Sequence, residues 1–363
     1  MAYTTIDKPS DYFDTKLHTG TGGSKTLAYD FEVDFYWTKM RNDAYPHNLF
    51  DSSRGNNALL RASQSNAEVS AANTVSFGNA SGVTLGSDGS SYGVNQANND
   101  SGSSATFVGF AWKANGGTTE TAVNESGSNP ANVRQTNTTA GFSIITYTGT
   151  GSAGTIAHGL GVAPEWIIVK GRDIATDGMV YHEANTSAPE TDALQLPENS
   201  ATSDNAGWWN DTAPTSSVFT LGTHDRVNSD GNTYVAYCWA EIQGFSKFGS
   251  YTGNGNADGP FVYLGFKPAW VMVKRTNTTG AWEIYDSARN GNDSNPINDR
   301  LRANDNAAEN TDDTSDYVSD FLSNGWKIRT NSGNWNTSGH TYIYMAFAEH
   351  PFVSSKGVPV TAR

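Results

Sequence analysis

The chain has 363 residues, a mass of 38.9 kDa and a net charge of −14. It holds no run of about 18 apolar residues, so no membrane-crossing helix is expected, and its acidic balance argues against a surface that binds nucleic-acid phosphates. The single Cys238 excludes an intrachain disulfide and a thiolate zinc cage, while ten tryptophans within a 12% aromatic content argue against wholesale disorder.

In chain order, the opening Met1 to Phe13 has neither a basic n-region nor an apolar h-region, so no signal peptide is expected there. His18-Thr-Gly-Thr-Gly22, Phe35-Tyr-Trp-Thr-Lys39, Leu49-Phe-Asp-Ser-Ser-Arg-Gly55 and Thr106-Phe-Val-Gly-Phe-Ala-Trp-Lys113 form the first copy of a repeated pattern. Tyr147-Thr-Gly-Thr-Gly151 and Pro164-Glu-Trp-Ile-Ile-Val-Lys170 follow, then Val180-Tyr-His182 and Asn228 to Glu241. The third copy begins with Tyr251-Thr-Gly-Asn-Gly255 and Pro268-Ala-Trp-Val-Met-Val-Lys274, each 104 residues after its counterpart. Ile284-Tyr-Asp286 and Asn336 to Glu349 complete it, the last after a shift of 108 that implies a longer loop. Repetition at this period indicates one fold used three times.

The divisions that follow are a first β module at 1–117, expected to be the attachment end, and a polar linker at 118–140. A second module at 141–244 and a third at 245–353 abut at Gly244-Phe245 and are expected to project outward, with a C-terminal tail at 354–363. Short β-branched and aromatic runs between Gly, Asn, Asp and Ser turns predict an all-β protein of three tandem antiparallel β-sandwich or jelly-roll-like modules. Trp37, Trp166 and Trp270 are aligned as one core position, with Trp112, Trp239 and Phe347 as further core anchors. The 299–323 region is expected to hold a short helical turn.

The candidate functional residues are few. Trp208 and Trp209, in a Gly- and Asn-flanked segment, and Trp335, in a similar one, are candidate ligand-binding rings for a sugar or protein. The competing reading puts one ring of the pair in the core and the other over a seam. His158-Gly-Leu-Gly lacks the lysine of a phosphate loop and precedes a strand, so it reads as a turn. His182 aligns with Asp51 and Asp286 as a shared polar position near a strand end, and the histidines have no metal-ligand spacing. Glu241 and Glu349 share a repeat position, which suggests a common hydrogen-bonding or ion-pair role. Cys238 sits in a strand run where the third copy has Ala346, which argues against a nucleophile. The turns Asn98–Gly102, Asn228–Gly231 and Asp312-Asp313 with Asp316 would suit Ca²⁺ but lack the D-x-D-x-D-G array. No other cofactor, no metal site and no catalytic residue is expected.

The blocks YTGTG…HGLGVAPEWIIVK and GNTYVAYCWAEIQGFSKFGSYTGNG, together with MAYTTIDKPSDYFDT and Trp112-Lys-Ala-Asn-Gly-Gly117, resemble tandem modules in virion structural proteins of tailed bacteriophages, often from marine and cyanobacterial hosts. The resemblance spans nearly the whole chain and lends no catalytic residues. It implies a non-enzymatic tail or fibre/appendage protein that contributes to assembly and host attachment, made in the host cytoplasm and carried on the virion. The partners it implies are other virion proteins, copies of the chain itself (a trimer by analogy with fibres) and a host surface glycan or receptor, with no nucleic acid and no membrane insertion. The alternatives are a capsid decoration or cementing protein and a carbohydrate-active depolymerase of the tail.

Overall fold

The computed structural model describes residues 3–87, 92–121, 127–291, 295–311, 318–331 and 333–360. The first stretch of chain forms β1 (Phe13–Thr19), β2 (Lys25–Ala28), β3 (Phe35–Met40), β4 (Asn48–Asp51), β5 (Ala58–Arg61), β6 (Val69–Ser70), β7 (Val75–Asn79), β8 (Gly82–Leu85) and β9 (Thr106–Trp112). The middle forms β10 (Glu120–Thr121), β11 (Asn132–Asn137), β12 (Phe142–Thr148), β13 (Gly154–Ala157), β14 (Trp166–Gly171), β15 (Met179–His182), β16 (Asp192–Gln195), β17 (Ser203–Asp204), β18 (Val218–Leu221) and β19 (Thr233–Trp239). The last forms β20 (Ser246–Thr252), β21 (Phe261–Tyr263), β22 (Phe266–Arg275), β23 (Trp282–Asp286), β24 (Leu301–Arg302), β25 (Ser319–Leu322), β26 (Gly325–Ile328) and β27 (Thr341–Pro351).

Each stretch builds one large antiparallel sheet and one small one. The large sheets run β1-β9-β3-β4-β5-β6, β10-β11-β12-β19-β14-β15-β16-β17 and β20-β27-β22-β23-β24. The small sheets are β2-β8-β7, β13-β18 and β21-β26-β25. Every small sheet packs on its own large sheet through a separate apolar cluster. The opposite faces of all three large sheets meet in one shared cluster that contains Trp37, Trp112, Trp166, Trp239, Trp270 and Phe347. A sheet covered on both faces needs apolar residues on both, and β3 and β14 are accordingly buried at every position. Aromatic edges and faces interlock across the three units: Trp112 lies 6.2 Å from Trp239 and 5.9 Å from Trp270, and Phe35 stacks 4.4 Å from Tyr237.

The repeated Thr-Gly-x-Gly motif has a local cause. A buried asparagine accepts the backbone N–H that follows the first glycine and donates to carbonyls on both sides of the turn. Asn95 bonds Thr21 N, Gly23 O and Gly86 O, Asn228 bonds Thr150 N, Ser152 O and Gly222 O, and Asn336 bonds Asn254 N, Asn256 O and Thr330 O. The first glycine of each turn (Gly20, Gly149, Gly253) has no room for a Cβ, which would collide with the carbonyl of Gln96, Ser229 or Thr337. The second (Gly22, Gly151, Gly255) sits at φ of 65–67°.

Several expectations need correcting. Residues 118–140 do not form a linker, because β11 pairs along β12 from Asn132↔Tyr147 to Asn137↔Phe142 and β10 pairs with β11. The second and third units do not extend away from the first, since all three large sheets share one core. Trp37 is not the counterpart of Trp166 and Trp270. Phe35 stands opposite Trp112, as Trp166 stands opposite Trp239 and Trp270 opposite Phe347. The 299–323 region holds β24 and β25, with no helix among its described residues.

Candidate functional site

The three candidate ligand-binding tryptophans are not on the surface. Trp208 and Trp209 are 4% and 2% exposed and belong to the cluster between the second unit's sheets. Trp209 Nε1 donates to Asp192 O. Trp335, 1% exposed, lies in the third unit's cluster and donates to Tyr285 Oη at 2.9 Å. The expectation of an exposed ring fails because Gly and Asn on either side form the turns that fold each ring inward.

The polar chemistry gathers at the seams between units. Three contacts repeat in cyclic order: Glu68 N–H donates to Arg172 O, Glu309 N–H to Arg41 O and Thr202 N–H to Thr276 O. At the seam of the first and second units, Arg172 grips both oxygens of Glu68 at 3.0 and 2.9 Å. Glu68 also accepts from Arg54, which pairs with Asp51, and Tyr237 of the second unit donates to Asp51 at 2.7 Å. At the seam of the third and first units the set recurs. Arg41 grips Glu309 with two 2.7 Å bonds, Glu309 accepts from Arg289, and Arg289 pairs with Asp286. Arg54 and Arg289 have no exposed side-chain surface.

The seam of the second and third units carries a neutral version at the same positions. His182 replaces the aspartate and its Nε2 donates to Tyr344 O at 3.1 Å, while its Nδ1 accepts from Ala184 N. Asn185 stands for the arginine and accepts from Thr202 Oγ1 at 2.8 Å. Thr276 pairs with Thr341 through their hydroxyls. The polar position shared by Asp51, His182 and Asp286 is therefore a seam position, and burial holds His182 neutral by lowering its pKa to about 4.

The electrostatics follow from burial against pairing. Burial alone would raise the carboxyls of Glu68 and Glu309, but their arginine partners outweigh it and hold both below the usual range. Glu283 shows the opposite balance. Arg300 and Arg302 lie 3.4 and 3.6 Å away, yet complete burial pushes its carboxyl up to about 7. Glu165 rises to about 7, chiefly by burial.

A second threefold set sits beside the clamps. Lys39, Lys170 and Lys274 close the inner strands β3, β14 and β22 and are at most 1% exposed. Their ammonium groups donate to backbone carbonyls: Lys39 to Asp43 O, Lys170 to Thr176 O and Gln64 O of the first unit, and Lys274 to Ser200 O of the second. Burial lowers them to about 7, 8 and 7. Sequence reading missed these lysines and the clamps. The signal was a lysine ending each quoted strand block, a charged residue in the same place in runs otherwise mostly apolar.

The remaining candidates take structural places. His158 is buried, bonds Thr215 O and lies in the connection between β13 and β14. Glu241 and Glu349 each pair with a lysine, Lys247 and Lys267, at 3.2 Å. Cys238 is buried opposite Ser143 and burial pushes its thiol far up. Asn228, in the proposed Ca²⁺ turn, spends its side chain on the Thr150–Ser152 turn. Asp312, Asp313 and Asp316 lie outside the described residues. No group of three or more His, Cys, Asp or Glu residues that could hold a metal occurs among the described residues.

Residues 8–351 match a family described as a domain of unknown function (DUF7483), and the chain belongs to that family. No curated protein matches the chain.

Proposed function

We propose that this chain is a non-enzymatic structural component of a tailed-bacteriophage particle, a tail or fibre/appendage protein whose task is to hold shape and join neighbours. One observation carries the reading. The same polar positions recur at the seams, where Arg41–Glu309, Arg172–Glu68, His182, Lys170 and Lys274 fasten one unit to the next and the remaining members brace them from within a unit. Arginine, glutamate and lysine side chains that would otherwise be candidates for substrate chemistry are occupied by contacts within the chain. The sequence resemblance supplies the setting. A chain that closes three units around one core also meets by itself much of the need for a homotrimer that the fibre analogy suggests.

The test is quantitative mass spectrometry of purified particles. The chain should be present at a fixed copy number, in small multiples of three or six if it belongs to the tail. Hundreds of copies would replace the tail assignment with shell decoration. Infectious particles free of the chain would overturn the reading.

A further inference from the structure

In the second unit the chain adds a strand to its own sheet: β11 lies along the outer edge of β12. Gln135, at the centre of β11 and opposite Ile144, is buried and reaches across the seam to the hydroxyls of Ser52 and Ser53 at 2.9 and 2.7 Å. The corresponding edge of the first unit is β1, which pairs with β9 and ends its sheet. Thr15 of β1 takes the place of Ile144, and Ser287 and Ala288 of the third unit take the places of Ser52 and Ser53.

Where Gln135 and its strand would sit there is a cleft of about 130 Å³, whose lining includes Phe13, Asp14, Thr15, Ser287, Ala288 and Glu349. That is well above the ~10–15 Å³ that a site for one water needs. Two buried oxygens in it, Thr15 Oγ1 and Glu349 Oε2, lack a hydrogen-bond partner among the described residues. Two residues along the strand from Thr15, on the same face, Leu17 is 40% exposed. At the matching edge of the third unit Phe248 occupies the Thr15 position and its ring joins the shared core.

We propose that the strand-unpaired edge of β1, whose Thr15 N–H now donates to Asp14 Oδ1 and would exchange that bond, and this cleft receive one extended strand of a partner protein, antiparallel to β1 and uncharged where it meets Thr15, with a glutamine-type carboxamide entering the cleft. Edge addition supplies backbone hydrogen bonds, and the side-chain pocket supplies selectivity. The carboxamide offers a donor to the open oxygen of Glu349 and serves Thr15 as donor or acceptor. A carboxylate in its place would face Glu349 with like charge. The proposal deepens the structural role proposed above and rests on it for its setting. Its test uses only the isolated chain and a peptide, so its failure is distinct from absence of the chain from particles.

The probe is a fluorescein-labelled peptide with the sequence of residues 129–138, which contains β11. Titrated against the full chain, it should bind saturably one to one, and hydrogen exchange should slow at β1 amides but not at those of β12 or β20. A peptide with Gln135→Glu should bind at least about tenfold more weakly. Ala288→Trp, which fills the cleft, should weaken binding similarly with an unchanged thermal melt. Should that variant not fold, the peptide pair and the exchange map decide alone. Absent binding, protection at β12 by strand exchange, or equal affinity of the Glu peptide would overturn the proposal. Concentration-dependent self-association that protects β1 without peptide would also overturn it, by making a second copy the occupant.

Discussion

Removing Glu309 tests the clamp account most directly. Its side chain is 3% exposed and lies between Arg41 of the first unit and Arg289 of the third. Truncation to alanine takes the carboxylate from Arg41 and leaves the fully buried Arg289 with Asp286 as its partner, and should cost about 3–4 kcal/mol, the lower part of the range for breaking a buried pair. Glu68→Ala should cost less, about 2–3 kcal/mol, because Glu68 is itself 18% exposed where Glu309 is 3%. The neutral seam supplies the decisive comparison. Asp51→His, Arg54→Asn, Glu68→Thr, Arg172→Thr and Tyr237→Met together copy the second–third seam onto the first–second one. Replacing the complete set leaves no orphaned charge, so the five changes together should cost no more than about 1–2 kcal/mol. Urea unfolding followed by tryptophan fluorescence and far-UV circular dichroism would read this as a shifted midpoint at constant slope. The pH dependence has a definite sign. Both glutamates are held below their unfolded values, so their contribution is complete above about pH 4.5 and is lost as pH falls through the folded values. A cost-free Glu309→Ala, or a fivefold variant as unstable as the sum of its parts, would refute the reasoning.

Three other outcomes follow from the same structure. Asn228→Ala unties the Thr150 turn and leaves buried backbone groups unpaired, so the thermal midpoint should fall with a loss of about 2–4 kcal/mol. Trp335→Ala should destabilise by about 3–5 kcal/mol through the cavity it leaves and should not act as a clean probe of surface binding, as chemical denaturation would show. Glu283, raised to about 7 in the folded chain, contributes stability that is full below the unfolded value near 4.5 and is lost as pH rises through 7. Glu283→Gln should therefore be close to neutral at pH 5 and more stable than the parent at pH 8, and melting curves showing no such crossover would count against the burial argument.

The repeats carried much of the fold in plain sight. The 104-residue offset aligns β12 with β20 and β14 with β22, and the turn motif aligns β1 with both. What the sequence hid was register and polar burial. The first copy is legible as Phe-Tyr-Trp-Thr-Lys, and matching its tryptophan to Trp166 is wrong by two residues. Matching the lysines, Lys39 to Lys170 to Lys274, gives the observed register. Strand β11 escaped notice because its buried residues are Asn132 and Gln135, which hydropathy scores as exposed. The shared core was hidden for a different reason. Continuous apolar runs say that a strand is covered on both faces but do not name the cover, so beads on a string and a closed ring read alike.

The distribution of charge among the seams has a physical logic in how the chain connects them. The second and third units are joined directly at Gly244-Phe245, and Phe245 N–H donates back to Ile242 O, so their effective concentration for one another is high. A neutral set of His182, Asn185, Thr202 and Thr276 suffices there. The first and second units are joined by the longer path from Lys113 to Asn132, and loop-closure entropy grows with that length. The third and first are consecutive in the ring but not in the chain, and their seam is closed only by non-covalent contacts. Those two seams carry the arginine–glutamate clamps, and the last adds Tyr3 Oη bonded to Gly265 O and Asp7 bonded to Ser355. Charge-assisted pairing is concentrated where covalent tethering is weakest. A fastening built for closure in this way explains why the polar residues that recur in the sequence face one another across the seams.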